Sequence, residues 1–212
     1  MRRLAAACAF ALASCASGPP APDWEGSAHA ALKSFQSGYL AGRTRVAEQD
    51  FARARSELAA TGRADLVARA ELVRCAARVA SLEFDDCPGF LPLAADAAPA
   101  ERAYAAYLAG RAQAADIALL PEHHRAVSSG SLASVADPFA RLVAAGVLFR
   151  QGRLAPEGIA IAVETASAQG WRRPLLAWLG VQEKRARDAG DREAADAIGR
   201  RIRLVGGEEK AR

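Results

Sequence analysis

Threonine and isoleucine are scarce in this sequence, with three and five among 212 residues, against 54 alanines. That balance works against strands, which draw on β-branched side chains, and favours helices, for which alanine has the best intrinsic propensity. The expected class is all-α. A membrane-spanning run is also missing: spanning takes roughly 20 apolar residues, and the first apolar run, Leu4 to Ala13, has only ten. Lysine is nearly absent. Arginine outnumbers it heavily, and together with the alanine content this reads as genome base composition rather than as a binding surface. There is no Gly-x-Ser-x-Gly elbow, no phosphate-binding glycine loop and no His-Glu-x-x-His, so three common chemistries lose their signatures. No cofactor and no metal are expected. The formal charge of +4 is too small to argue for a nucleic-acid partner.

The N-terminus is patterned. Met1-Arg2-Arg3 is a short cationic start, and the ten-residue apolar run after it has the length of a signal-peptide core. The run ends in Leu12-Ala13-Ser14-Cys15. This resembles the lipobox of bacterial lipoprotein precursors, with Leu three residues before the cysteine and two small residues between. The resemblance covers the first fifteen residues. It implies that residues 1–14 are removed, that Cys15 carries lipid, and that the membrane partner is reached through that lipid. Ala16 rather than an aspartate follows, which resembles the pattern sorted to the outer membrane, facing the periplasm. An ordinary secretory signal is the alternative. Cys8 competes poorly, because Ala5 occupies its −3 position. Loss of Arg2 and Arg3 would lower the charge to +2, counted from +4.

Cys75 and Cys87 remain. An exported protein sits in an oxidising compartment, where two thiols in one chain tend to pair. Cys75 falls in a helical run and Cys87 in the loop Asp85-Asp86-Cys87-Pro88-Gly89, so a chain turning back could join them. A loop of this size would add roughly 3 kcal/mol of stability. Two unpaired buried thiols are the alternative.

Residues 15–27, rich in proline and glycine, read as a flexible tether, residues 28–205 as a helical domain, and residues 206–212 as a charged tail. Within the domain, apolar residues recur at three and four. The spacing predicts helices over 28–41, 43–60, 63–83, 99–109, 111–119, 138–151, 156–169, 172–189 and 191–205. Breaks fall at 84–98 and 121–136. Asp137 and Pro138 form a helix-start signal. Gly42, Gly62, Gly110, Gly152 and Gly190 each end one helix before the next opens. Successive intervals of about 38 to 48 residues between the last four match a helix-turn-helix repeat.

Leu142, Gly146, Phe149 and Gly152 resemble the first-helix series of tetratricopeptide-type repeats, with Ala160 and Ala162 as small residues on the second helix. Leu176, Leu179 and Gly180, turning at Gly190, resemble a second copy, although Glu183 stands where the family has an aromatic. The resemblance implies a solenoid that grips peptides or protein segments. An irregular helical bundle is the alternative architecture.

Candidate chemistry is thin. His123 and His124 point about 100° apart on a helix, so they cannot share a face as zinc ligands would. Beside Glu122 and Arg125 they read as a polar surface turn. Asp85 and Asp86 read as caps or solvated residues. Trp171, Arg172 and Arg173 form a possible partner-binding patch, since Trp and Arg are enriched at hot spots, or Trp171 closes the core between helices. The functional expectation is a lipid-anchored, non-catalytic scaffold for an unknown envelope protein or peptide. An envelope enzyme acting on peptidoglycan would need a desolvated acid such as Glu71 or Glu164. A purely structural accessory lipoprotein is the third reading.

Overall fold

The computed structural model describes residues 22–125 and 132–207. The lipobox, Cys15, the first residues of the expected tether and the tail at 208–212 lie outside the described residues, as does the segment 126–131. Ten α-helices and no strand make up the described residues: α1 Asp23–Leu40, α2 Thr44–Ala59, α3 Ala64–Ala80, α4 Pro99–Leu108, α5 Ala114–Ile117, α6 Glu122–Arg125, α7 Pro138–Arg150, α8 Pro156–Ala168, α9 Arg172–Asp188 and α10 Arg192–Gly206. The all-α expectation therefore holds. Among the described residues no helix is long and apolar enough to cross a membrane.

The glycine stops work as the sequence implies. Gly42, Gly62, Gly110, Gly152 and Gly190 all have positive φ, between 67° and 83°. At Gly42 the chain makes paired closing bonds, Arg43 N–H to Gly38 O and Gly42 N–H to Tyr39 O. This is the two-bond helix stop that a left-handed residue permits. The same pair recurs at Gly110, Gly152, Gly170 and Gly190. Asp137 caps α7 by accepting from the Ala140 N–H at 2.6 Å, as its place before Pro138 predicts.

Three boundaries differ from expectation. The tether ends early, because α1 opens at Asp23 directly after Pro22. Asp23 and Glu25 sit in its first turn, where carboxylates favour the helix dipole, and Trp24 packs on the core. Next, α3 stops at Ala80 rather than at residue 83. Leu82 takes the left-handed φ of 61° that a glycine would normally hold, and Glu83 N–H closes on Arg78 O. Finally, the helix expected over 111–119 shrinks to the four residues of α5. Its start is displaced to Gln113, whose N–H donates to Asp116 Oδ2 at 2.7 Å, and Pro121 follows soon after.

Two apolar clusters hold the helices. The smaller gathers Phe35, Tyr39, Phe51 and Leu58 where α1, α2 and α3 meet. The larger runs through α3, α4, α7, α8 and α9 around Trp178, Leu142, Leu108 and Leu179. Trp178 is fully buried, and its indole N–H donates to the Ala80 carbonyl at 3.1 Å, satisfying an α3 end that would otherwise stand unpaired in the core. At Gly146 the α7 backbone passes α3 so closely that a Cβ would sit 2.3 Å from the Val79 carbonyl oxygen. α7, α8, α9 and α10 pack in succession. α1 also reaches α9 across the molecule.

Cys75 and Cys87 are joined as a disulfide, with Cα atoms 5.2 Å apart. The bridge pins the loop after α3 back onto that helix. Both Asp86 and Cys87 adopt positive φ there, and Arg150 holds Asp86 at 2.6 Å, keeping its carboxyl below the usual carboxylate range. A thiol titration of the unreduced, unfolded chain should find neither Cys75 nor Cys87 reactive. Two titratable thiols at these positions would refute the bridge.

Candidate functional site

The irregular part of the chain, between α3 and α7, builds the most chemically distinctive site. Pro99 sits at the first position of α4, where its fixed φ suits the helix and its missing N–H goes unmissed. Three residues apart on α4, Tyr104 and Tyr107 share a face, and their rings stack at 6.0 Å between centroids. The chain then turns through α5 and, after Pro121, forms the single helical turn of α6. That turn presses His124 onto both tyrosines, with centroids 5.4 Å from Tyr104 and 4.9 Å from Tyr107.

His124 is thus not the surface residue the sequence led us to expect. It is 1 % exposed, while His123 beside it stays in solvent. The pattern misled because a four-residue helix has no periodicity to read. Two aromatic faces on α4, distant in sequence, supply the burial. Tyr104 Oη lies 3.3 Å from His124 Nε2. Among the described residues the other ring nitrogen, His124 Nδ1, has no hydrogen-bond partner, nor does the buried Tyr107 hydroxyl. Leaving such groups unpaired is destabilising by about 1–3 kcal/mol each. Burial, with His123 nearby, pushes the imidazole down to about 3, so His124 is neutral under ordinary conditions. Burial likewise pushes the Tyr104 and Tyr107 phenols up.

Two concavities flank this cluster. One, of about 240 Å³, lies against α4, α5 and α7 and is lined by Tyr107, His124, Ile117, Val147, Gln113 and Arg153 among others. The second, of about 370 Å³, lies between α3, α4 and the corner at Pro121. Its walls are largely apolar, with Leu72, Val73, Tyr104, Leu119 and Leu120. Leu119 projects there with 46 % of its surface exposed.

Among the described residues two carboxylates are buried, and both are committed to arginines. Glu71 accepts from Arg55 Nε at 2.9 Å, and its carboxylate fills the space over Gly89, where a Cβ would come within 2.0 Å of Oε2. Glu101 accepts from Arg69 at 2.7 Å. Glu164 is exposed on α8. Neither Glu71 nor Glu164 therefore sits as an unpaired acid facing a cleft. Among the described residues no three His, Cys, Asp or Glu side chains gather as a metal group.

The residues proposed from sequence for partner binding fall at one corner but do different things. Trp171 caps α9 and packs against the larger core. Arg172 is exposed and donates to Gly206 O at 2.9 Å. Arg173 is engaged inside the molecule. It donates to Tyr39 O at 2.9 Å and Glu83 Oε1 at 3.1 Å, and also to Thr44 Oγ1. Its guanidinium carbon stands 4.1 Å from the Tyr39 ring centre. The Tyr39 hydroxyl in turn donates to Glu83 Oε2 at 2.8 Å, and burial with this bond pushes its pKa up. Arg173 thus joins α9 to α1 and to the turn after α3, while Arg172 stays exposed at the same corner.

Compared with protein-family models, with curated proteins and with solved structures, the chain gives no match. The functional reading accordingly rests on the residues themselves.

Proposed function

We propose that the protein is a lipoprotein of the outer membrane, anchored through Cys15 and facing the periplasm, whose helical body is a non-catalytic scaffold that docks an envelope protein or peptide. The observation that carries the docking half is the apolar groove between α3 and α4, with Leu119 projecting at its lip. Exposed apolar surface bounded by polar residues is a common mark of protein contact, and Arg69 and Glu101 frame this groove. The anchoring half is supported by the cationic start, the short apolar run and Leu12-Ala13-Ser14-Cys15. Resemblance to tetratricopeptide-type repeats at Leu142, Gly146, Phe149 and Gly152 agrees with the succession of packed hairpins from α7 to α10. The contact of α1 with α9 makes this a short stack whose ends meet rather than an open row.

One experiment tests both halves. A photo-crosslinking residue replaces Leu119 in the full-length protein within intact envelopes, with Val46, exposed on α2, as the control position. The Leu119 probe should give a discrete protein adduct and the Val46 probe none. Equal adducts at both positions, or none at Leu119, would sink the docking reading. Adding Cys15→Ala should move the protein from the membrane fraction to the periplasm. Retention in the membrane would end the anchoring reading while leaving the adduct interpretable.

A further inference from the structure

The smaller cavity combines features that core packing alone does not call for. Its floor carries Tyr107 and His124, 6 % and 1 % exposed, each with a polar atom that has no partner among the described residues. Fold stability alone would favour apolar rings there, since buried polar groups are normally paired. Its walls are mixed: Ala112, Ile117, Val147 and Leu148 are apolar, and Gln113 and Gln151 add two amides. Its rim carries Arg153, whose described contact is the Gln151 side-chain oxygen at 3.3 Å. The neighbouring Arg111 and Arg150 both pair with Asp86. No carboxylate among the described residues pairs with Arg153, so its charge is free for a ligand.

The cavity thus has a buried polar pair, Tyr107 and His124, an exposed cation, Arg153, and apolar side chains lining the space with them. At about 240 Å³ the cavity is smaller than the roughly 300–1,000 Å³ that holds drug-sized ligands, so its occupant is smaller still. We propose that this cavity binds a small carboxylic acid with an apolar or aromatic body and a hydroxyl at its far end. Arg153 takes the carboxylate, for which its planar fork is suited. Ile117, Val147 and Leu148 hold the body. The hydroxyl, donor and acceptor at once, meets the Tyr107 hydroxyl and His124 Nδ1. Both floor atoms are shut off from water, so seating the hydroxyl takes a small swing of the whole Tyr107 side chain and places these bonds in a dry site, where they are stronger. The site is distinct from the groove at Leu119, and its failure would leave the docking reading standing.

The full-length protein in detergent is titrated calorimetrically with three probes. 4-Hydroxyphenylacetate has both polar ends, phenylacetate lacks the hydroxyl, and 2-(4-hydroxyphenyl)ethanol lacks the carboxylate. The first should bind, and each of the others should bind at least about tenfold more weakly. Arg153→Gln, at an exposed position, should weaken the first acid about tenfold and leave the alcohol unchanged. Tyr107→Phe should narrow the difference between the two acids. In the unsubstituted protein, the His124 ring signals in a proton–nitrogen spectrum should shift with 4-hydroxyphenylacetate. Absence of binding by all three probes up to about 10 mM, equal binding by all three, or an unaltered affinity in Arg153→Gln overturns the proposal.

Discussion

Replacing Gly146 by alanine is expected to destabilise the protein by about 3 kcal/mol, whereas the same change at Gly180 should be neutral or stabilise by up to about 1 kcal/mol. The two glycines look alike in sequence, each interrupting an apolar helix four residues or fewer after a leucine. Their surroundings are opposite. A Cβ on Gly146 would meet the Val79 carbonyl oxygen at 2.3 Å and the carbonyl carbon at 3.0 Å. These are backbone atoms of α3, which cannot swing aside as a side chain can. α7 would have to lift from α3 and open the core around Leu142 and Trp178. A Cβ on Gly180 meets nothing within 4 Å, so alanine there simply removes the conformational freedom that glycine brings to a helix interior. Urea unfolding of the two variants would show it as opposite shifts in midpoint at constant slope. A Gly146→Ala variant as stable as the parent would mean that α7 and α3 are not in backbone contact.

Acid should destabilise the fold through His124, beginning near neutral pH rather than in the carboxylate range. The imidazole is held down to about 3 in the folded protein, against roughly 6.5 for an unfolded histidine. Above pH ~6.5 both states are neutral at this residue and the stability is fully present. Below it, the unfolded chain takes up a proton that the folded chain refuses, so stability falls as pH falls, by up to ~1.4 kcal/mol per unit. Between pH 7 and pH 4 the loss from this group is about 3 kcal/mol. The imidazole is hemmed in by Tyr104, Tyr107 and His123, none of them an anion at these pH values that could stabilise its charged form. His124→Gln removes the titrating group, so its stability should slope less steeply over that range, whatever its absolute value. Parallel pH profiles for the two proteins would show that His124 is protonated freely in the folded state.

Helix class, the glycine stops and the cap at Asp137 were legible because each depends on residues within a few positions of one another. The disulfide was legible for a different reason: Cys75 and Cys87 are close in sequence and separated by one turn of the chain. What was hidden depends on distant partners. Leu82 ends α3 in a conformation that its side chain disfavours, and nothing local announces that. His124 reads as a surface residue until Tyr104 and Tyr107, about twenty residues earlier, are folded over it. Arg173 reads as a docking residue until Tyr39 and Glu83 are brought to it by the fold. The cavity beside His124 was beyond sequence reasoning altogether, because its walls come from α4, α5 and α7 and no two of those share a periodic pattern.

The bracket that Arg173 makes with Tyr39 and Glu83 bears on how the molecule assembles. A row of helical hairpins in which each touches only its neighbours can fray from either end and can fold as it emerges. Here α1 is completed by a residue 134 positions further along the chain, and α3 by the Trp178 indole 98 positions along. Closing contacts over such distances carries a loop-entropy cost before any reward arrives. The first three helices therefore lack these partners until the ninth is in place, and the ninth ties both ends of the chain into one unit.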